Sequence, residues 1–318
     1  MPRVALVVLT KDASASWKEL SVVDGGVADV RLVVDSGSTD ATPALASQDG
    51  WLVERAPEGF DHGGTRRWAF ERVKRLVRRS GIVVFVTQDV SRVVGGGGVD
   101  ALLAALEQHE DVGAAYGRQL PRLEAKPFEA HARLFNYPEQ SEVRSFEDRA
   151  RLGIKACFFS DSFAAYRVKA LEDVGGFPER AIVGEDVIVA AKLLKAGWKI
   201  AYVADACVYH SHDLTPTQEM RRYFDIGVFH ARESWILREF GNPEGEGLRF
   251  LVSEVRYLWE RAPWLIPESL LRAGLKYVGY RLGRAERHLP LAFKRWMSLQ
   301  RHFWKREAEE LRGLRQTG

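Results

Sequence analysis

Two cysteines, Cys157 and Cys207, occur in 318 residues, and neither belongs to a CxxC pair. That leaves no basis for a disulfide framework or a cysteine-based zinc site, and it fits a reducing compartment. Long hydrophobic runs are also missing. The N-terminal run Val4–Leu9 is cut off by Thr10-Lys11-Asp12, too soon for a signal peptide or a membrane span, and reads as a buried strand. Charge of one sign is scarce: 46 basic residues against 43 acidic leave a net +3. With no dedicated motif beside it, that balance argues against a nucleic-acid binder. Neither GxGxxG nor GxxxxGK[ST] occurs, which sets aside the common dinucleotide and P-loop readings. Gly95-Gly96-Gly97-Gly98 has no Lys-Ser/Thr after it and reads as a flexible turn. There is no internal repeat.

What is present describes a globular protein of one large or two ordinary domains, 46% hydrophobic and 28% charged. The first half alternates apolar, β-branched runs with helical spacings. Val4–Leu9, Val30–Val34, Trp51-Leu52-Val53, Ile82–Val86 and Val112–Tyr116 read as strands. Segments 39–47, 64–79 and 100–109 read as helices between them. This predicts an α/β fold, a mostly parallel central sheet flanked by helices. Further along, 157–166 and 201–209 read as strands around a helix at 187–196. Helices then fill 218–240, 246–260, 267–282 and 291–311. The division expected is a catalytic domain over 1–216 and a helical C-terminal region over 217–318.

In such a sheet, functional residues gather at the carboxyl ends of the strands. Those ends carry Thr10-Lys11-Asp12, Asp35-Ser36-Gly37-Ser38-Thr39-Asp40 and Thr87-Gln88-Asp89. The Asp35 turn suits a base or ribose with a close phosphate, and equally suits a capped βα turn. Asp89 is a candidate ligand for a hard divalent cation, or a plain loop aspartate. Phe60-Asp61-His62-Gly63-Gly64-Thr65-Arg66 opens a basic helix whose glycines and Arg66 would suit a diphosphate. In Tyr209-His210-Ser211-His212 an extended backbone would turn both rings to one face, where they could bind a cation. Gly184-Glu185-Asp186 follows the turn Gly175-Gly176-Phe177-Pro178 and precedes an apolar helix. Acids there can cap the helix, and a carboxylate so held can serve as a general base.

Taken in this order, these segments resemble glycosyltransferase family 2, with its GT-A nucleotide-diphospho-sugar fold, and within it the bacterial rhamnosyltransferases. The run Arg222-Tyr223-Phe224-Asp225-Ile226-Gly227-Val228-Phe229-His230 resembles that branch too. The resemblance implies an inverting sugar transferase with these roles. Asp186 would be the catalytic base and Glu185 would orient the acceptor. Asp35 and Thr10, with Ser38 and Gln88 beside them, would hold the nucleotide, and Arg66 would lie by the diphosphate. Asp89 and His210 would bind Mg2+ or Mn2+. Gly176 and Phe177 would border the acceptor. Two positions depart from the family pattern: Thr87 stands where a DxD motif has its first acid, and Thr65-Arg66-Arg67 replaces Ala-Arg-Asn.

The implied donor is dTDP-L-rhamnose, with another nucleotide sugar, UDP- or GDP-linked, as the alternative, and the implied acceptor a surface glycan, lipid-linked or free. From Arg261 to Arg315 basic residues outnumber acids and alternate with aromatics. That pattern suits either peripheral contact with a membrane or ordinary helix packing, and it leaves room for a homodimer. The location expected is the cytoplasm or the inner face of the cell membrane. Two other readings keep the fold. A nucleotidyltransferase would need a glycine-rich basic loop after the first strand, where Thr10-Lys11-Asp12-Ala13-Ser14 stands. A non-catalytic glycan-binding protein would have no need of Asp35, Asp89 and Asp186 together.

Overall fold

The structure, a computed structural model, describes residues 2–57 and 62–316. Phe60 and Asp61 of the glycine-rich motif lie outside the described residues. The chain runs β1 (Val4–Thr10), α1 (Trp17–Leu20), β2 (Val30–Asp35), α2 (Thr42–Gln48), β3 (Leu52–Arg55), α3 (His62–Val77), β4 (Ile82–Thr87), β5 (Ser91–Arg92), α4 (Gly98–Gln108) and β6 (Val112–Leu120). Then come α5 (Pro127–Asn136), β7 (Glu142–Arg144), α6 (Arg149–Leu152), β8 (Phe163–Arg167), α7 (Val168–Asp173), α8 (Glu185–Lys195) and β9 (Lys199–Tyr209). The last third is helical: α9 (Pro216–Arg232), α10 (Ser234–Phe240), α11 (Glu244–Arg261), α12 (Ile266–Arg284), α13 (Leu291–Met297) and α14 (Arg301–Gln316).

The strands form one sheet in the order β3-β2-β1-β4-β8-β6-β9-β5, with β7 paired to β9. Pairing is parallel through β3, β2, β1 and β4, and again between β6 and β9. β8 enters antiparallel between β4 and β6. β1 and β4 are buried along both faces, which is why they read as unbroken apolar runs rather than alternating ones. One core layer holds Val7, Val34, Phe70, Phe85 and Phe177 under α3 and α8. The other holds Val8, Val33, Val84, Leu102 and Leu106 under α1 and α4.

The helical region adds to the first layer. Phe224, Val228 and Phe229 of α9, Met297 of α13 and Trp304 of α14 join the same cluster as the strands. Within that region α9 and α12 cross closely because Gly227, Gly279 and Gly283 carry no side chain. A Cβ on any of them would strike the opposing backbone.

Three expectations change. Residues 157–162 are not strand: a 3₁₀ turn ends at Cys157, and β8 starts only at Phe163. Ser160 and Asp161 use that freedom to place their side chains in the site. Residues 218–240 form two helices broken at Glu233, and 291–311 form two broken at 298–300. The second break is held by Asp225, which accepts hydrogen bonds from Ser298 Oγ at 2.5 Å and Leu299 N at 2.9 Å.

Candidate active site

At the ends of β1 and β2, Asp35 is buried and closes its own turn. Its carboxylate accepts the backbone N–H groups of Gly37 at 3.0 Å and Ser38 at 2.9 Å, and also the Ser38 hydroxyl. Thr10, facing it in register, donates more weakly at 3.4 Å. Gly37 has φ +84, which lets the chain reverse there. Gln88, at the end of β4, clamps the main chain of Lys11: its amide accepts from the N–H at 2.6 Å and donates to the carbonyl at 3.0 Å. Thr10, Asp35, Ser38 and Gln88 therefore form one rigid rim across three strand ends.

The second group is assembled by sheet register. β5 follows Asp89 directly and pairs antiparallel to β9, with Ser91 opposite Tyr209. That register brings Asp89 against the residues just past β9. Asp89 Oδ2 lies 3.1 Å from His210 Nε2 and 2.8 Å from His212 Nε2, and the two ring nitrogens are 3.1 Å apart. Thr87 donates to Asp89 Oδ1 at 2.5 Å. Burial acts to raise the Asp89 carboxyl, but hydrogen bonds from the two imidazoles in their protonated form outweigh it and hold it well below the usual carboxylate range. Burial also lowers His210, which favours the neutral ring that ligates metals.

Gln119 fixes which nitrogen of His210 is free. Arg133 Nη1 donates to Gln119 Oε1 at 2.7 Å, so the amide oxygen must face that way. His210 Nδ1 meets the same oxygen at 2.8 Å and must carry the proton. The Nε2 lone pair therefore points at the Asp89 carboxylate and at His212. Two acceptors facing one another at hydrogen-bond distance call for a cation or a shared proton between them. Asp89, His210 and His212 present ligand atoms all within 4.8 Å of one another, a donor set that fits a divalent cation. His212 would supply a further ligand where Thr87 stands in place of the first acid.

The third group surrounds the start of α8. Gly184 is the N-cap, with φ +77 and the Phe229 ring 3.1 Å from where a Cβ would sit, so a side chain there would be strained. Asp186 then falls in the first helical turn, half-buried. It accepts its neighbour's backbone N–H (Val187) at 2.8 Å and that of Asp161 at 3.3 Å. Burial first, then the charges of Glu185 and Asp161, push the Asp186 carboxyl up to about 8. Burial likewise raises Asp161, to about 6, against the pull of Arg66. Tyr166 donates its hydroxyl to Asp161. A carboxyl so poised titrates near neutrality, where a general base exchanges protons best.

Glu185 and Arg66 stand elsewhere than the resemblance implied. Arg66 is only 4% exposed and is held between Glu185 Oε1 at 2.8 Å and Asp161 Oδ2 at 3.2 Å. Buried charges persist only when paired in this way. Arg66 thus braces the acids beneath Asp186 instead of standing open to a diphosphate, and Glu185 is turned inward instead of toward an acceptor. Gly63 has the same cause: a Cβ there would lie 2.6 Å from the Pro178 carbonyl, so its absence lets α3 approach the loop before α8.

Phe177 also differs from expectation. It is fully buried, edge-to-face with Phe85 at 5.2 Å and Tyr166 at 5.5 Å, and has no surface to offer an acceptor. Gly175 and Gly176, with φ +81 and +74, end α7; the Gly176 N–H returns to the Leu171 carbonyl at 2.8 Å. Asp161 and Gln119 are the residues the motif reading did not single out; it named His212 with His210 as a possible cation ligand. The groups are joined: Gln119 Nε2 donates to Ser160 Oγ at 2.8 Å, next to the Asp161 that touches Asp186.

A mixed sheet with nucleotide-type turns at β1, β2 and β4, an Asp–His–His cluster and a raised carboxyl at a helix start defines a glycosyltransferase of the GT-A type. The chain belongs to the family described as glycosyl transferase family group 2, which matches residues 93–266. It is 41% identical over 309 residues to the O-antigen chain rhamnosyltransferase WbaN of Salmonella anatum, covering 96% of both chains. It is 40% identical over 311 residues to the O-antigen chain rhamnosyltransferase RfbN of Salmonella typhimurium, covering 95% of this chain and 96% of that one. Among solved structures it resembles the mannosyltransferase PcManGT from Pyrobaculum calidifontis, solved with GDP-Man and Mn2+. The TM-score is 0.50 at 18% identity, covering 98% of this chain and 87% of that one. A mycobacterial protein gives a TM-score of 0.51 at 18% identity, over 73% of this chain and 74% of that one. These two likenesses concern the fold.

Proposed function

We propose that this enzyme is an inverting rhamnosyltransferase that moves L-rhamnose from dTDP-L-rhamnose to a hydroxyl of a growing, lipid-linked surface glycan. The observation that carries the chemistry is Asp186, a raised carboxyl fixed at the start of α8 beside a second acid. The choice of sugar is supported by the similarity to two O-antigen rhamnosyltransferases over nearly the whole chain. Asp186 takes the proton of the acceptor hydroxyl as its oxygen forms a bond to the anomeric carbon. The bond from that carbon to the diphosphate breaks, and the nucleoside diphosphate leaves with the electron pair. Thr10, Asp35, Ser38 and Gln88 hold the nucleotide at the strand ends. Asp89, His210 and His212 would hold a divalent cation, Mn2+ in preference to Mg2+ given two imidazoles, which would supply positive charge toward the leaving diphosphate.

In this reading residues 1–216 carry the transfer chemistry, while the helical region 217–318 serves membrane association. A lipid-linked acceptor brings the enzyme to the inner face of the membrane as a peripheral protein. Among the described residues, no helix is long and apolar enough to cross a membrane. The test is a panel of nucleotide sugars screened for protection against thermal unfolding, followed by transfer assays with the best binder. Protection by dTDP-L-rhamnose above its UDP- and GDP-linked counterparts supports the assignment. Equal or greater protection by another nucleotide sugar overturns the choice of donor.

A further inference from the structure

The α11–α12 hairpin presents an apolar surface to solvent. On α11, Leu248, Val252 and Trp259 recur at helical spacing and are exposed, while Glu254 and Leu258 turn inward. On α12, Leu270, Leu271, Tyr277 and Val278 form the exposed stripe, and Ser269, Arg272, Lys276 and Gly279 face the fold. Trp264 sits in the turn Pro263–Leu265 that joins the two helices. Trp259 and Trp264 are 72% and 73% exposed, so the two largest side chains of the hairpin gather near its connected end. Single exposed apolar residues are ordinary; a run of this size along one hairpin marks an interaction site.

The flanking charges identify the partner. Arg256 and Arg281 are exposed beside these stripes; Arg261, its guanidinium 4.4 Å from the Tyr257 ring, is paired with the exposed Glu260 at 2.9 Å, which leaves Arg256 and Arg281 as the cations the patch offers a headgroup. Tryptophan and tyrosine favour the polar–apolar boundary of a bilayer, and arginine favours anionic headgroups at that same depth. A second copy of the chain fits less well. A two-fold interface would lay this face on itself and bring the same arginines toward one another. We propose that the α11–α12 hairpin is the membrane-docking element, seating Trp259, Trp264, Leu270 and Leu271 among the headgroups of an anionic bilayer. This deepens the lipid-linked acceptor reading and rests on it for its purpose.

Co-sedimentation of the full chain with vesicles tests the proposal. Vesicles of phosphatidylcholine with phosphatidylglycerol should bind it, and vesicles of phosphatidylcholine alone should bind it about tenfold less tightly. The variant Trp259→Ser/Trp264→Ser/Leu270→Ser should lose about tenfold or more of the anionic-vesicle affinity. Transfer to a water-soluble glycan acceptor should stay unchanged, which also reports that the variant is folded. Wild type that binds no vesicles, or a variant that binds them equally well, overturns the proposal. So does concentration-dependent dimerisation lost in the variant without vesicle binding. Vesicle binding as expected, with no transfer to any glycan, would instead count against the transferase reading alone.

Discussion

The backbone N–H of Asp161 points at the Asp186 carboxylate across 3.3 Å, while the Asp161 side chain takes the Arg66 guanidinium and the Tyr166 hydroxyl. Asp161 therefore both steadies the Asp186 carboxyl and, by its charge, helps keep its proton affinity high. Arg66, Glu185 and Asp161 form the buried support on which Asp186 stands.

The pH profile of transfer should report this. Asp186 must be ionised to act, and burial with its acidic neighbours pushes it up to about 8. The rate under kcat/KM conditions should therefore rise with pH, with its inflection near that value and its plateau above it. Glu185→Gln removes the largest neighbouring charge, so the inflection should move to lower pH. A profile flat from weakly acidic to alkaline pH would contradict the assignment.

Cation binding should depend on all three ligands. Mn2+ affinity, read by calorimetric titration without donor, should fall about tenfold or more in His212→Ala and further in Asp89→Asn. In the proposed site His212 would contribute the nitrogen that offsets the threonine at position 87. Unchanged affinity in both variants would move the cation elsewhere.

Gln119 sets the His210 tautomer through Arg133, so it is a positioning residue for the cation site. Gln119→Leu should weaken Mn2+ binding about 10–100-fold, the usual cost of losing such an outer partner. Gln119→Glu keeps an acceptor toward both neighbours and should restore most of it. Equal losses in the two variants would point to a packing role.

Phe177→Ala should cost about 3–5 kcal/mol of stability, as other buried Phe truncations do. The acceptor KM should not change at a temperature where the variant is folded. A raised KM with little loss of stability would return Phe177 to the acceptor site.

These residues mark how far the sequence could be read. The strand-end loops were legible because an unbroken β-branched run such as Val4–Leu9 or Ile82–Val86 ends visibly at its first polar residues. The His210–His212 pair was legible because extended backbone turns alternate residues to one face. Asp161 was not, because Cys157–Tyr166 reads as one strand across Ser160-Asp161-Ser162 and so hides the irregular segment that carries it. Gln119 lies inside β6 and earns its place only through register with β9. Phe177 beside its two glycines looks like a binding loop. Only the packing of Phe85 and Tyr166 reveals it as core.

The most direct measurement compares wild type with Asp186→Asn, following donor binding and sugar transfer in parallel. The account predicts donor affinity within about twofold of wild type and transfer reduced about 10²–10⁴-fold, the range for loss of a general base. Transfer at the wild-type rate in Asp186→Asn, with donor bound, would contradict it.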